Sequence, residues 1–155
     1  MSEVKRIISL LKEAYYGEAW HGPAVKELLK GVTAEKAASK PVPGFHSIWE
    51  LVLHISTWTE VAGRRLNGEA VTHVPQEKDW PPVTDKSESS WKKALENLEA
   101  YQQKLLQTLE TTDDAKLYET VPGTDYKYYT LLYGTVNHDL YHSGQIAVLK
   151  KILNL

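Results

Sequence analysis

Two histidines four positions apart near the C-terminal end of the chain have the spacing most typical of a chemical site. His138 and His142 lie in a stretch that predicts a helix, and a third histidine, His54, lies within another predicted helix. On an α-helix, residues four apart differ by about 40° in direction and roughly 6 Å in height, so both imidazoles can reach one ion. A third imidazole from a facing helix would complete a three-histidine metal site with an open coordination position, which is the arrangement of catalytic metal sites.

Length, charge and cysteine content restrict the class of protein. The chain has 155 residues, which predicts one domain over residues 1–155 with a single core. The net charge is −2, and the basic residues are scattered among acids and not gathered on one face as nucleic-acid binding requires. The chain has no cysteine, which excludes disulfides, cysteine-ligated zinc and a thiolate nucleophile of the protein itself. Any thiol in the chemistry must come from a substrate.

The hydrophobic pattern predicts a location in the cytoplasm. The first six residues, MSEVKR, lack the apolar core of a secretory signal, and no stretch approaches the ~20 apolar residues that a membrane span needs. We therefore expect a cytoplasmic protein that does not contact a membrane. Because the basic residues are scattered, we expect its partner to be a small-molecule substrate and not a nucleic acid.

Apolar periodicity predicts four main helices and no strands. They cover about residues 3–20, 47–66, 88–109 and 128–152, and the sequence Ser47-Ile48-Trp49-Glu50 fits a capping box at the start of the second. Long connections follow the second and third helices. The connection at residues 67–86 contains three prolines, and its length is typical of a lid or a binding loop. The predicted fold class is all-α, a four-helix bundle.

The histidines fall on helix faces that should be buried. The predicted inward stripe of the fourth helix consists of Leu131, Thr135, His138, His142, Ile146 and Leu149. His54 lies at the edge of the buried stripe of the second helix; a single inward histidine is more often a hydrogen-bonded core residue than a ligand. Two neutral imidazoles side by side without an ion would each need a hydrogen-bond partner among aliphatic neighbours, which is costly. We therefore predict His138 and His142 as metal ligands.

Two segments of the chain carry a family resemblance. Residues 47–54, SIWELVLH, and residues 134–146, GTVNHDLYHSGQI, resemble the DinB-like superfamily of metal-binding four-helix bundles, which includes the YfiT-type thiol transferases. The metal triad of that family is one histidine on the second helix and a His-x-x-x-His pair on the fourth, which correspond here to His54, His138 and His142. The resemblance also implies an up-down-down-up bundle, often a homodimer, that holds zinc or nickel.

The charge of such a site suggests its chemistry. Three neutral imidazoles leave the double positive charge of the ion uncompensated, which favours an anionic fourth ligand, either ionised water or a thiolate. With the resemblance, this leads to the hypothesis of a metal-dependent enzyme that transfers a low-molecular-weight thiol to an electrophilic small molecule, with hydrolysis as the variant chemistry. His54, His138 and His142 would act through the bound metal. Imidazole binds zinc, nickel, copper and iron alike, so the ligand set alone does not identify the metal.

Four other residues are candidates for the surroundings of the metal. Asp139 lies about 60° around the fourth helix from His142, so its carboxylate could accept an imidazole N–H, although a solvated or ion-paired carboxylate fits equally well. His21, Tyr141 and Gln145 are candidates for lining the cofactor and substrate pocket. His21 also fits an ordinary loop histidine, and Tyr141 also fits a packing residue.

The tryptophans divide between core and pocket. Trp49, Trp58 and Trp91 fall on helical stripes, which predicts core packing. Trp80 precedes two prolines in the long connection, and we place it on a lid over the pocket. His46 and His73 carry no assignment.

Three other interpretations of the histidines stay open. A di-iron carboxylate bundle needs two Glu-x-x-His motifs and further glutamates, and the chain offers Glu18-x-x-His21 and the poorer Asp139-x-x-His142. A zincin protease needs His-Glu-x-x-His with the glutamate as base, whereas the second position here is Asp139. The third alternative is a non-enzymatic stress-response or binding module that the ion stabilises.

Overall fold

The computed structural model describes residues 2–155, most of which lie in helices. The α-helices are α1 (Glu3–Tyr15), α2 (Val25–Leu29), α3 (Ala34–Ala38), α4 (Ile48–Leu66), α5 (Gln76–Asp79), α6 (Glu88–Glu110) and α7 (Tyr128–Ile152), and a short 3-10 helix (Asp114–Tyr118) follows α6. Within the described residues, β-pairing is limited to one isolated bridge between Thr120 and Lys127. None of the described helices is both long and apolar enough to cross a bilayer.

The four long helices pack as a bundle in which each contacts two others. α4 packs against α6 and α7, and α1 packs against the same two helices, so α1 and α4 are diagonally opposite. The short helices α2 and α3 cover one end through contacts with α7, α4 and α6. The predicted all-α four-helix bundle is therefore confirmed. Because α4 and α7 are neighbours, side chains on their facing sides can meet directly.

The start of α4 has the predicted capping box. Ser47 Oγ accepts a hydrogen bond from the backbone N–H of Glu50 at 3.2 Å, and the Glu50 carboxylate accepts one from the backbone N–H of Ser47 at 2.8 Å. This reciprocal pair satisfies two backbone donors that the first turn would otherwise leave free. The start of α4 is thereby defined, and with it the direction in which His54 points two turns later.

The first helix is shorter than predicted. It ends at Tyr15 and does not continue to Trp20, because Gly17 and Glu18 have φ angles of 144° and 63°, which a right-handed helix does not accommodate. At Gly17 a Cβ atom would lie 3.1 Å from the carboxyl carbon of Glu27. That carboxylate accepts a hydrogen bond from the backbone N–H of Ala24 at the start of α2. The tight turn that ends α1 therefore requires glycine at position 17.

A polar layer separates two apolar clusters of the core. One cluster contains Trp49 and Trp91 and joins α2, α3, α4, α6 and the C-terminal part of α7, and the other joins α1 to the opposite halves of α4, α6 and α7. Thr59, Gln102 and Asp139 lie along α4, α6 and α7 between residues of the two clusters, and each is at most 1 % exposed. Gln102 Nε2 donates to Asp139 Oδ2 at 3.0 Å. Asp139 is therefore part of the core.

Candidate metal centre

The three histidines of the predicted triad meet between α4 and α7. His138 Nε2 lies 3.1 Å from His54 Nε2 and 3.1 Å from His142 Nε2, and the three ligand atoms all lie within 4.8 Å of one another. Two imidazole nitrogens bound tetrahedrally to one ion at about 2.0–2.1 Å are separated by roughly 3.4 Å. The group could therefore hold a metal ion with little movement of the rings.

The helices position these rings in two different ways. The spacing of four residues on α7 brings His138 and His142 to one face, with ring centroids 4.4 Å apart. α4 supplies His54 from the facing side, 4.9 Å from the His138 centroid and 4.8 Å from the His142 centroid. His54 and His142 are buried, whereas His138 is partly exposed. Of the three histidines, His138 is therefore the most accessible to solvent.

Hydrogen bonds at the outer nitrogens orient two of the rings. His54 Nδ1 donates to the backbone carbonyl of Asp79 at 2.8 Å, and His142 Nδ1 donates to Gln145 Oε1 at 2.6 Å. A neutral imidazole that donates from Nδ1 presents a lone pair at Nε2. His138 Nε2 could donate a proton to only one of these two lone pairs. A shared cation satisfies all three Nε2 atoms at once, so the arrangement of donors fits a metal ion.

Burial keeps the three imidazoles neutral. Burial is the largest influence on His54 and lowers its pKa, although Asp79 opposes this change. Burial likewise lowers the pKa of His142, although the hydrogen bond to Gln145 opposes it. For His138, burial and then the neighbouring His142 and His54 lower the pKa to about 3. A metal binds the neutral form of imidazole, so the triad is in its binding form at neutral pH.

The long connection after α4 packs directly on the triad. Asp79 Oδ1 lies 3.0 Å from His54 Nδ1 and accepts a hydrogen bond from Trp58 Nε1 at 2.7 Å. The indole ring of Trp80 stacks on His54 with centroids 3.8 Å apart and planes 6° apart. His46 stacks on Trp80 in the same way at 3.5 Å, so the indole lies between two imidazoles. These contacts place Trp80 over the His54 side of the triad.

The candidates for pocket lining differ in their distance from the triad. Gln145 contacts it through the hydrogen bond to His142 Nδ1. Tyr141 is 66 % exposed, and its ring meets His142 edge-on with centroids 5.0 Å apart. His21 is exposed, and no hydrogen bond or ring contact in residues 2–155 joins it to the triad. Gln145 and Tyr141 therefore border the group, and His21 does not.

Asp139 does not take the predicted position beside an imidazole. It is completely buried on the side of α7 that faces α6, where its Oδ2 accepts from Gln102, and its Oδ1 has no hydrogen-bond partner among residues 2–155. Burial raises the pKa of Asp139 to about 7, against the hydrogen bond from Gln102. The carboxylate that does approach an imidazole of the triad belongs to Asp79.

Sequence reasoning missed three residues of the site. Asp79 makes its shortest contact with His54 through a backbone carbonyl, for which side-chain identity gives no signal. Trp58, expected in the core, is only partly buried, and its ring centroid lies 6.4 Å from those of His54 and His138. Its position four residues after His54 was a usable signal, because such residues share a helix face. For His46, the sequence contains no comparable signal.

Comparison with known proteins identifies the family of the chain and is consistent with the all-α bundle. A family model described as the DinB superfamily matches residues 19–146, a range that includes all three histidines. The chain therefore belongs to the DinB superfamily. No curated protein and no solved structure matches it.

Proposed function

We propose that this protein is a divalent-metal-dependent enzyme that transfers a low-molecular-weight thiol to an electrophilic small molecule, with hydrolysis of a small substrate as the variant chemistry. The observation that supports it is the convergence of three imidazole nitrogens without a fourth protein ligand in the group found within residues 2–155. Structural zinc sites have four protein ligands, whereas catalytic sites have three and an open position. The resemblance to YfiT-type thiol transferases supports the choice of a thiol.

The residues of the chain prepare the site for this chemistry. A bound divalent ion would supply positive charge that lowers the pKa of a thiol or water in the open position. The Asp79 carbonyl and the Gln145 side chain hold His54 and His142 with Nε2 towards the centre. The rings of Trp80 and Trp58 lie against His54 and limit its contact with water.

Zinc and nickel are the metals we propose, because the family resemblance implies them and imidazole ligands suit both. Elemental analysis of protein purified without a polyhistidine tag tests this choice. One zinc or nickel per chain would support it. Two irons per chain would favour the di-iron interpretation instead.

Turnover with small thiols tests the proposed reaction. Metal-loaded protein is incubated with a thiol and a generic electrophile, and we expect thiol-dependent product formation that His142→Ala reduces by at least ~100-fold, because a ligand contributes more than the 10–100-fold typical of its outer partners. His21→Ala is the control, since His21 is exposed and away from the triad. Turnover that His142→Ala leaves unchanged would remove the metal from the mechanism.

A non-enzymatic module with a structural ion is the second candidate. It is favoured by the way in which the triad joins α4, α7 and the connection that contains Asp79 and Trp80, because an ion there would link three parts of the fold. Chelation that sharply lowers the melting temperature, together with thiols that do not shift it, would support this candidate over the enzyme.

The homodimer implied by the family resemblance stays a prediction. Sedimentation equilibrium measures the mass in solution directly. Twice the chain mass of 17.6 kDa is the expected result, and the mass of one chain at all concentrations would contradict it.

A further inference from the structure

A small pocket extends along the α4–α7 groove from the triad to an arginine. Its volume is about 220 Å³, and its walls include Trp58 and Arg65 of α4, Gly134 and His138 of α7, and Tyr126 before α7. Sites for drug-sized ligands typically measure ~300–1,000 Å³. The pocket therefore suits a small molecule, and one of its ends is a member of the triad.

Arg65 is a buried cation that has no acidic partner among residues 2–155. It is 8 % exposed, and the ion pairs within residues 2–155 all involve other residues. The adjacent Arg64 is more exposed and pairs with Glu69. Buried charges in proteins are normally paired, because removing a charge from water is costly. The unpaired guanidinium at this pocket therefore calls for an explanation.

The hydrogen bonds of Arg65 do not use all of its donors. Nε and Nη2 donate to the carbonyl of Val71 at 3.1 and 2.6 Å, and Nη1 donates to the hydroxyl of Tyr126 at 2.7 Å. A guanidinium has about five N–H donors in a planar fork that matches a carboxylate. The Val71 carbonyl and the Tyr126 hydroxyl are neutral groups. They accept hydrogen bonds from the guanidinium but do not neutralise its positive charge. A carboxylate would do both.

Trp58 connects the cation to the triad. Its ring centroid lies 6.0 Å from Arg65 Cζ and 6.4 Å from the centroid of His138. His54 and Arg65 are three helical turns apart on the same face of α4, about 16 Å along the axis, and Trp58 lies on that face between them. A ligand that lies along Trp58 could therefore reach both ends of the pocket.

Gly134 forms a part of the pocket wall that carries no side chain. A Cβ atom at this position would meet no atom within 4 Å, and the position lies on the pocket wall. Glycine inside a helix destabilises it by roughly 0.5–1 kcal/mol relative to alanine. Gly134 is exposed and no close packing requires glycine there, and His138 lies one helical turn further along the same face, so position 134 has open space at the pocket wall for a longer side chain.

We infer that Arg65 binds the carboxylate of a small-molecule ligand whose other end reaches the histidine triad. If the proposed thiol transfer is right, on which this part of the inference rests, the ligand is a thiol that also carries a carboxylate. The apolar walls contributed by Trp58, Ala62 and Leu131 receive the carbon chain between the two groups.

Binding measurements with matched ligands test this inference. Metal-loaded protein is titrated calorimetrically with mercaptoalkanoic acids of increasing length, with the corresponding mercaptoalcohols, and with alkanoic acids that lack the thiol. We expect each acid of suitable length to bind ~10-fold or more tightly than its alcohol, because a hydrogen-bonded charge pair exceeds a neutral hydrogen bond. Equal affinities of acids and alcohols at all lengths would overturn the inference.

Two variants assign the effect to the pocket. Arg65→Gln removes the charge and keeps a donor for Val71, and we expect it to abolish the preference for acids. Gly134→Leu adds a bulky side chain at the pocket wall, and we expect it to weaken acid binding by ~10-fold or more while the metal content stays unchanged. Gly63→Leu on α4 is the matched control, because a Cβ there also meets no atom within 4 Å and Gly63 is not part of the pocket wall.

The outcomes separate this inference from the proposed function. A preference for acids that survives in folded Arg65→Gln would overturn the inference and leave Arg65 as a clamp between α4 and Val71. If Arg65→Gln does not fold, unchanged acid binding by Gly134→Leu would overturn it equally. Alkanoic acids that bind in a Gly134-dependent manner while a thiol adds no affinity would support the pocket and contradict thiol transfer.

Discussion

Two groups of buried polar side chains lie on neighbouring faces of α7, and their hydrogen bonding differs. On the face towards α4, the Nδ1 atoms of His54 and His142 have hydrogen-bond acceptors. The Nε2 atoms of these two histidines and of His138 face one another. On the face towards α6, one hydrogen bond joins Asp139 to Gln102, and Asp139 Oδ1 and Gln102 Oε1 have no partner within residues 2–155. His138 belongs to the first group and Asp139 to the second, so two consecutive residues of α7 point into different polar groups.

The two groups suit different partners. Three Nε2 atoms that face one another are arranged to bind a cation, whereas the two unpartnered oxygens are arranged to accept or share a proton. An unsatisfied buried polar atom costs about 1–3 kcal/mol. A proton on Asp139 would supply the missing donor, consistent with the raised pKa of this carboxyl. The first group is therefore expected to respond to metal and the second to pH.

The largest expected effect is the loss of metal binding when a ligand of the triad is removed. His138→Ala takes away the nitrogen that lies 3.1 Å from both other ligand atoms, and we expect the affinity for zinc to fall by more than ~100-fold. Competition with a chromophoric chelator measures the affinity. His21→Ala should bind zinc as the unmodified protein does, and an equal loss in both variants would contradict the assignment of the triad.

The next effect concerns the outer hydrogen bond of the triad. Gln145→Leu removes the acceptor that holds His142 Nδ1, and we expect a loss of ~10–100-fold in zinc affinity in the same competition assay. Gln145→Glu retains an acceptor at this position, so its affinity should remain near or above that of the unmodified protein. If the Leu variant binds zinc normally, the hydrogen bond does not orient the ring.

The third effect is a pH dependence of stability from the Asp139 group. The folded state raises the pKa of this carboxyl from 3.8 to about 7 and so binds its proton more tightly than the unfolded chain does. This group therefore lowers the free energy of unfolding as the pH rises from about 4 to about 7. Asp139→Asn carries a permanent donor and no charge, so it should remove this decrease and be more stable by ~1–3 kcal/mol above neutral pH.

Urea unfolding of metal-free protein at several pH values measures this difference. The metal-free form is used so that protonation of the triad does not alter metal binding during the titration. Asp125→Asn serves as the control, because Asp125 is exposed and its replacement should leave the pH profile unchanged. Parallel profiles for the unmodified protein and Asp139→Asn would show that Asp139 is not the source of the dependence.

Local patterns predicted most of the bundle. The capping box at Ser47 and the apolar periodicity placed α4, α6 and α7 within about a residue of their observed ends, because hydrogen bonding and burial repeat regularly within a helix. The sequence predicted that α1 continues to about residue 20, whereas the helix ends at Tyr15. The prediction was wrong because the positive φ angles at Gly17 and Glu18 depend on the approach of α2. A contact from a distant segment leaves no periodic signal.

The sequence alone determined that His138 and His142 share a helix face, because a spacing of four residues is close to one helical turn in any surroundings. The tertiary structure decided that His54 meets them, that Asp79 and Trp80 pack on that ring, and that Asp139 turns towards Gln102. These outcomes depend on which helices are neighbours and on how a proline-containing connection returns to α4. Such contacts are set by packing between segments far apart in the chain, and no local repeat encodes them.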